Sequence, residues 1–246
     1  MKGGVGKTSI TANLATAMAS KLGAGRVSVI DLDPQNALHL HFGLESSQSN
    51  GVCEQSLRDA NWRDAAPMTE FNVACLPYGV VSEPDRQTFE CVLAANPNWV
   101  GEQLRRAQLD DDAVVLIDTP PGPSIYLKQV FACADLVLVI LLSDAGSYAT
   151  IPAMESWIQD MSSQRPQLAN AYVLNQIDRS EALNRDMAEM LRRHLGERLS
   201  PIGIHSDEAV SEALAFQQPV LVYDPHGQAS HDLARLATWA IDTLNR

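Results

Sequence analysis

The chain has 246 residues, of which 46% are hydrophobic and 20% charged, and its formal net charge is −12. That length and composition bury one sizeable core and exclude a disordered chain. The acidic balance argues against a surface that grips nucleic acid, because the richest basic stretch, Leu191 to Arg198, is flanked by Asp186 and Glu189 and reads as a solvated helix face.

The chain opens on MKGGVGKTSI. A glycine-rich run ending in Gly-Lys-Thr is the turn between a β-strand and a helix. The helix is predicted over Lys7 to Leu22, with Gly23 as its stop. No strand stands ahead of the loop. Further on, short β-branched apolar runs predict strands over Arg26 to Asp31, Phe71 to Pro77, Ala113 to Asp118, Leu136 to Leu142, Asn170 to Asn175 and Pro201 to His205. Helical patterns are predicted over Ile151 to Gln164, Glu181 to Leu195, Glu208 to Phe216 and Ser230 to Leu244. The alternation predicts an α/β fold: a mostly parallel twisted sheet with helices on both faces. Residues 45–112 are less regular and read as an elaboration within a single domain spanning 1–246.

Four cysteines, Cys53, Cys75, Cys91 and Cys133, have no CxxC spacing and read as free thiols. No apolar run approaches the ~20 residues that span a bilayer. His39 and His41 have no further ligand cluster beside them and read as local packing or exposure. The last helix carries Leu233, Leu236, Ala237, Ala240, Ile241 and Leu244 at helical spacing. Without a lysine-rich polar face, that stripe reads as core rather than as a membrane-surface helix.

Chemistry concentrates at three places. In the loop, glycines let backbone N–H groups approach phosphates, a lysine reaches the β- and γ-phosphates, and a hydroxyl holds Mg²⁺. Gly3, Gly4, Gly6, Lys7 and Thr8 fill these roles, and the helix N-terminus adds its dipole. The second lysine, Lys2, can serve a partner's nucleotide, as an arginine finger does. In VIDLDPQ Asp31 ends one strand and Asp33 stands two residues beyond, and in VVLIDTPPG Asp118 ends another. An aspartate leaving a strand beside the phosphate loop can hold Mg²⁺ through water.

These residues resemble the ParA/MinD branch of P-loop ATPases, whose deviant Walker A loop reads K-G-G-x-G-K-T. NWRDA (Asn61 to Ala65), ACLPYG (Ala74 to Gly79) and IHSDEAVSEALAFQQPV (Ile204 to Val220) extend the resemblance over essentially the whole chain, to the cellulose biosynthesis protein BcsQ (YhjQ) family. The resemblance implies ATP and Mg²⁺ as ligands and a nucleotide-dependent homodimer. Lys2, Gly3, Gly4, Val5, Gly6, Lys7, Thr8 and Ser9 then wrap the nucleotide, with Lys2 reaching across the dimer. Thr8 and Asp118 hold the metal, Asp33 orients the attacking water, and Asn175 reads adenine, with His205 and Asp207 closing on the base. The catalytic set is Lys2, Lys7 and Asp33. The implied partners are the cellulose synthase machinery, meaning BcsR-like and BcsE-like proteins and synthase subunits. The implied place is cytoplasmic, peripheral at the inner membrane through that complex. No specific nucleic acid is expected.

Some members of the family have a degraded phosphate loop, but here Lys7 is kept. Members also place an apolar strand before the loop. Its absence predicts that Met1 is an internal methionine and that the strand is encoded upstream. Three rival readings follow from the same loop. A ParA-like partitioning ATPase is disfavoured by the −12 charge. A ligase of the dethiobiotin-synthetase kind does not need Lys2. A protein like the nitrogenase iron protein is disfavoured by the lack of paired cysteines.

Overall fold

The computed structural model describes residues 3–45 and 51–245. In chain order the elements are α1 (Lys7–Leu22), β1 (Val27–Asp31), α2 (Val52–Leu57), β2 (Val73–Leu76), α3 (Glu83–Ala95), α4 (Trp99–Arg106), β3 (Val114–Asp118), α5 (Ile125–Cys133), β4 (Leu136–Leu142), α6 (Ala145–Gln164), β5 (Ala169–Asn175), α7 (Ala182–Leu195), α8 (Ala209–Ala215), α9 (Val220–Tyr223) and α10 (Gln228–Leu244). Every strand pairing is parallel, as the alternating pattern predicts. The strands form two separate groups, ordered β2-β1-β3 and β4-β5.

Helix α1 is buried from Ala12 through Ala19 and packs between the sheet and α10. Its small residues, alanines above all, allow that close approach. Leu233, Leu236, Ala237 and Ala240 of α10 face this core, so the stripe on the last helix is packing. A second core joins β4 and β5 to α6 and α7. A third lies over the other side of β1 and β2, where Trp62, Tyr78, Phe89 and Leu93 pack with Tyr126 of α5. All four cysteines are free.

The structure corrects the sequence reading in several places. Pro201 to His205 is not a strand. It follows the edge of β5 through two isolated parallel bridges, Tyr172 with Leu199 and Ile177 with His205. Pro201 has no N–H to give a ladder. At Gly203 a Cβ would come within 2.5 Å of the Ile177 side chain, so the backbone lies against its neighbour rather than pleating beside it. Helices α3, α4 and α5 were not predicted, and α6 starts at Ala145 rather than Ile151. Each of α3, α5 and α6 has a side-chain cap: Ser82 accepts from Asp85, Ser124 from Leu127, and Asp144 from Ser147. Pro152, which resembles a first-turn proline, sits inside α6.

Candidate nucleotide-binding site

The strands of both groups end at the same side of the molecule. Asp31 of β1 and Asp118 of β3 are partners in register, and Asn175 ends β5 opposite Leu142. Parallel pairing thus sets two carboxylates and an amide at the strand ends where α/β folds hold ligands.

The loop ahead of α1 crosses that end. Gly4 and Gly6 have φ of 73° and 87°, the left-handed region that glycine adopts without strain. At Gly6 a Cβ would also lie 2.5 Å from Asn175 Nδ2. No side chain caps α1, and its first turn has no acidic residue. The first N–H groups of the helix are therefore free of a capping carboxylate, and the dipole favours an anion there. Asn175 donates Nδ2 to the Val5 carbonyl at 2.9 Å, which pins the loop to β5.

Thr8 lies in the first turn, and its hydroxyl donates to Asp118 Oδ2 at 2.5 Å. Two hard oxygens, on different elements and beside the helix N-terminus, make a donor set that fits Mg²⁺. Burial pushes Asp118 up to about 6, opposed by the Thr8 hydrogen bond and the Lys7 charge. A divalent cation beside it favours the carboxylate. Asp31 is raised further, to about 8, by burial and then by Asp118. Its oxygens accept from the Asp33 and Leu38 N–H groups, at 2.9 and 3.1 Å. Asp31 therefore fastens the 32–38 turn and sets Asp33, half-buried, at the same end as Asp118. The sequence reading placed Asp31 at a strand end but left it out of the site set.

On the other side of α1 lies a cavity of about 270 Å³, lined by Gly6, Ser9, Asn13, Asn175, His205 and Asp207 among others. Its outer wall is held by carboxylates. Asp232, buried on α10, accepts from the His205 N–H at 3.1 Å and meets His205 Nδ1 at 2.7 Å. It also accepts from Gln228 Nε2. Asp207 accepts from the N–H groups of Ala209 and Ala229, tying the starts of α8 and α10 together. Asp232 was missed by the sequence reading.

The structure thus brings Gly3, Gly4, Val5, Gly6, Lys7, Thr8, Ser9, Asp33, Asp118, Asn175, His205 and Asp207 around one strand-end site. Lys2 lies outside the described residues. Among the described residues no group of three or more His, Cys, Asp or Glu side chains could hold a metal. His39 and His41 are both buried. No helix among them is long and apolar enough to cross a membrane.

Comparison with known proteins agrees with this geometry. MinD from Pyrococcus horikoshii, solved with Mg-ADP, superposes with a TM-score of 0.75 at 24% identity, covering 97% of this chain and 92% of that one. MinD from Pyrococcus furiosus gives 0.74 at 25% identity, covering 98% and 95%. By sequence, the chromosome partitioning protein ParA of Caulobacter vibrioides is 30% identical, over 96% of this chain and 89% of its own length. Cellulose biosynthesis protein BcsQ of Salmonella typhimurium is 28% identical, over 98% and 91%. The family profile described as cellulose biosynthesis protein BcsQ matches residues 1–241. This chain, a P-loop α/β protein with MinD-like and ParA-like neighbours, belongs to the BcsQ family.

Proposed function

We propose that this chain is an ATP-dependent dimerisation switch and slow ATPase that supports bacterial cellulose synthesis and secretion. The observation that carries the nucleotide part is the Thr8–Asp118 contact beside an uncapped helix N-terminus, under a loop with two left-handed glycines. Membership of the BcsQ family supports the process.

In this reading the backbone of Gly3 to Ser9 binds the phosphates, and Lys7 neutralises the β- and γ-phosphate oxygens. Thr8 and Asp118 hold Mg²⁺, which when bound draws off charge that develops on those oxygens. Asp33 accepts a hydrogen bond from water and aims its oxygen at the γ-phosphorus. The P–O bond to the leaving ADP breaks as the bond to water forms, which yields phosphate. Lys2 reaches the nucleotide of a second copy. The base sits in the cavity beside Asn175, under the wall that Asp207 and Asp232 fasten. The protein acts at the cytoplasmic side of the synthase, with BcsR-like and BcsE-like partners and synthase subunits.

Likeness to ParA raises a partitioning role. Non-specific DNA binding needs clustered cations, and the −12 charge without a basic stripe speaks against it.

The process is tested in the native host. A chromosomal Lys7→Ala change is expected to abolish or sharply reduce cellulose output, measured by dye binding and by recovered glucan. Normal cellulose with a stable variant protein contradicts the role.

A further inference from the structure

Helices α8 and α9 are apolar on two sides, although only one of them meets a core. On the inner side Ala209, Ala213 and Val220 are buried, and Val210, Leu221 and Tyr223 pack against the first core. On the outer side Leu214, Phe216 and Val222 are exposed, Phe216 at 67%. The Phe216 ring is braced there by stacking on Tyr223, with centroids 5.5 Å apart and planes at 23°. Tyr223 in turn donates its hydroxyl to Glu212 at 3.0 Å. The short helical turn Leu38–Phe42 adjoins this face. A Cβ at Gly43, its cap, would stand 3.2 Å from the Gln217 carbonyl, and Leu40 on the turn is also exposed. Large apolar side chains gathered on one exposed face mark an interaction site.

Charge decides what can sit on it. Of the 18 Lys and Arg residues, none lies between Arg26 and Arg58 and none between Arg198 and Arg235, the two stretches that build this face. Its rim carries carboxylates instead: Glu208 and Glu212 on the exposed side of α8, and Asp224 directly after α9. Such a rim repels nucleic acid and anionic lipid. A second copy meeting it through the same patch would set these carboxylates against their own like charges. An apolar centre with an acidic rim is complemented by an apolar stripe flanked by Lys or Arg. The face is built of helical elements and offers no strand edge to extend, so the segment that presents such a stripe is an amphipathic helix.

We propose that this face docks a cationic amphipathic helix of a partner protein. The apolar residues of that helix cover Leu214, Phe216 and Val222, and its Lys or Arg residues meet Glu208, Glu212 and Asp224. Phe216 is the anchor, because an exposed aromatic ring already held in place gains most from burial and loses least in ordering. The same elements serve the strand-end site from their other side. Val210 and Ser211 of α8 line the cavity beside Asn175, and Leu40 lines an open cleft with Asp33. A helix docked here therefore bears on both walls from outside.

The test uses the whole chain without nucleotide, so its outcome is independent of the proposed function. The probe is a fluorescein-labelled amphipathic peptide of about 14 Leu and Lys residues, read by anisotropy. Phe216→Ser is expected to weaken binding about tenfold or more. Glu212→Lys should weaken it by roughly fivefold and flatten its salt dependence. Leu183→Ser, at a side chain 73% exposed on α7, should bind like the parent. Amide exchange with the peptide bound should slow over residues 209–223. Absence of binding, or equal binding by the parent, Phe216→Ser and Leu183→Ser, overturns the face, since the peptide is then held by net charge alone or not at all. Equal binding of a Leu/Glu peptide of the same pattern overturns the charge assignment. Self-association of the parent that Phe216→Ser abolishes, seen by light scattering, gives the face to a second copy and overturns the partner helix. Anionic vesicles that sediment the parent but not Phe216→Ser overturn it in favour of a lipid surface.

Discussion

The phosphate end and the base end of the site are built in different ways. At the phosphate end of the proposed site, residues 3–9 are consecutive, and the proposed contacts are mostly backbone N–H groups. Its glycines are required by left-handed φ and by the 2.5 Å approach of Asn175 at Gly6. At the base end, the wall is drawn from residues 175, 205, 207, 228 and 232, and side-chain carboxylates hold it together. A backbone requirement leaves a mark in the sequence, because few residues satisfy it. A buried carboxylate that fastens two loops leaves none, because aspartate is common and only its surroundings give it a task.

The comparison predicts unequal losses. The largest is at Lys7. Lys7→Ala removes the charge nearest the β- and γ-phosphates, and ATP affinity should fall about 100-fold or more, as read by calorimetry. An unchanged affinity breaks the assignment of the phosphate end. Next comes Thr8. Thr8→Ala should bind ATP like the parent in EDTA and lack the gain, of roughly tenfold, that the parent shows when Mg²⁺ is added. An equal gain in both proteins removes Thr8 from the metal.

The base end should respond less in affinity and more in stability. Asp232→Ala leaves the His205 N–H and Gln228 without their acceptor. It should cost about 2 kcal/mol of stability and about tenfold in ATP affinity. A folded variant with parental affinity shows that the wall does not depend on this fastener.

The smallest effect on nucleotide affinity is expected at His41, buried in the short helical turn over residues 38–42. Burial lowers it from 6.5 to about 4. The folded protein therefore binds fewer protons than the unfolded chain between those values, and stability falls as pH drops through that window. His41→Gln should remove up to about 3 kcal/mol of that acid loss, seen as a smaller shift in denaturation midpoint between pH 6.5 and 4. Parallel pH profiles for the two proteins contradict it.

The sheet strands β1 to β5 were legible because each is an apolar run bounded by turns, and most bounds agree to within a few residues. Helix α3 was not, since only Phe89 and Leu93 of its thirteen residues are buried, too thin a stripe to show a period. Pro201 to His205 misled for the opposite reason: its apolar alternation is real, but Pro201 and Gly203 prevent a ladder. Within the proposed site, the loop and Asp118 were readable from motif and strand end, whereas Asp33 and Asn175 received their roles only from the resemblance to the family. Asp31 and Asp232 acquire their roles from burial and from partners 7 and 27 residues away, which no local pattern encodes.

In the proposed switch two copies close over nucleotide, and Lys2 makes closure depend on the γ-phosphate. Facing phosphate tails repel, and a lysine crossing from each copy offsets that repulsion, more so for ATP than for ADP. The direct measurement is molar mass by light scattering, with ATP, ADP or no nucleotide, on the parent, Lys2→Ala and Asp33→Ala. The parent should dimerise with ATP and not with ADP. Asp33→Ala should hold the dimer longer because the water is no longer oriented, and Lys2→Ala should bind ATP yet stay monomeric. Dimerisation of Lys2→Ala with ATP to the parent's extent contradicts the account and leaves Lys2 as an ordinary loop lysine.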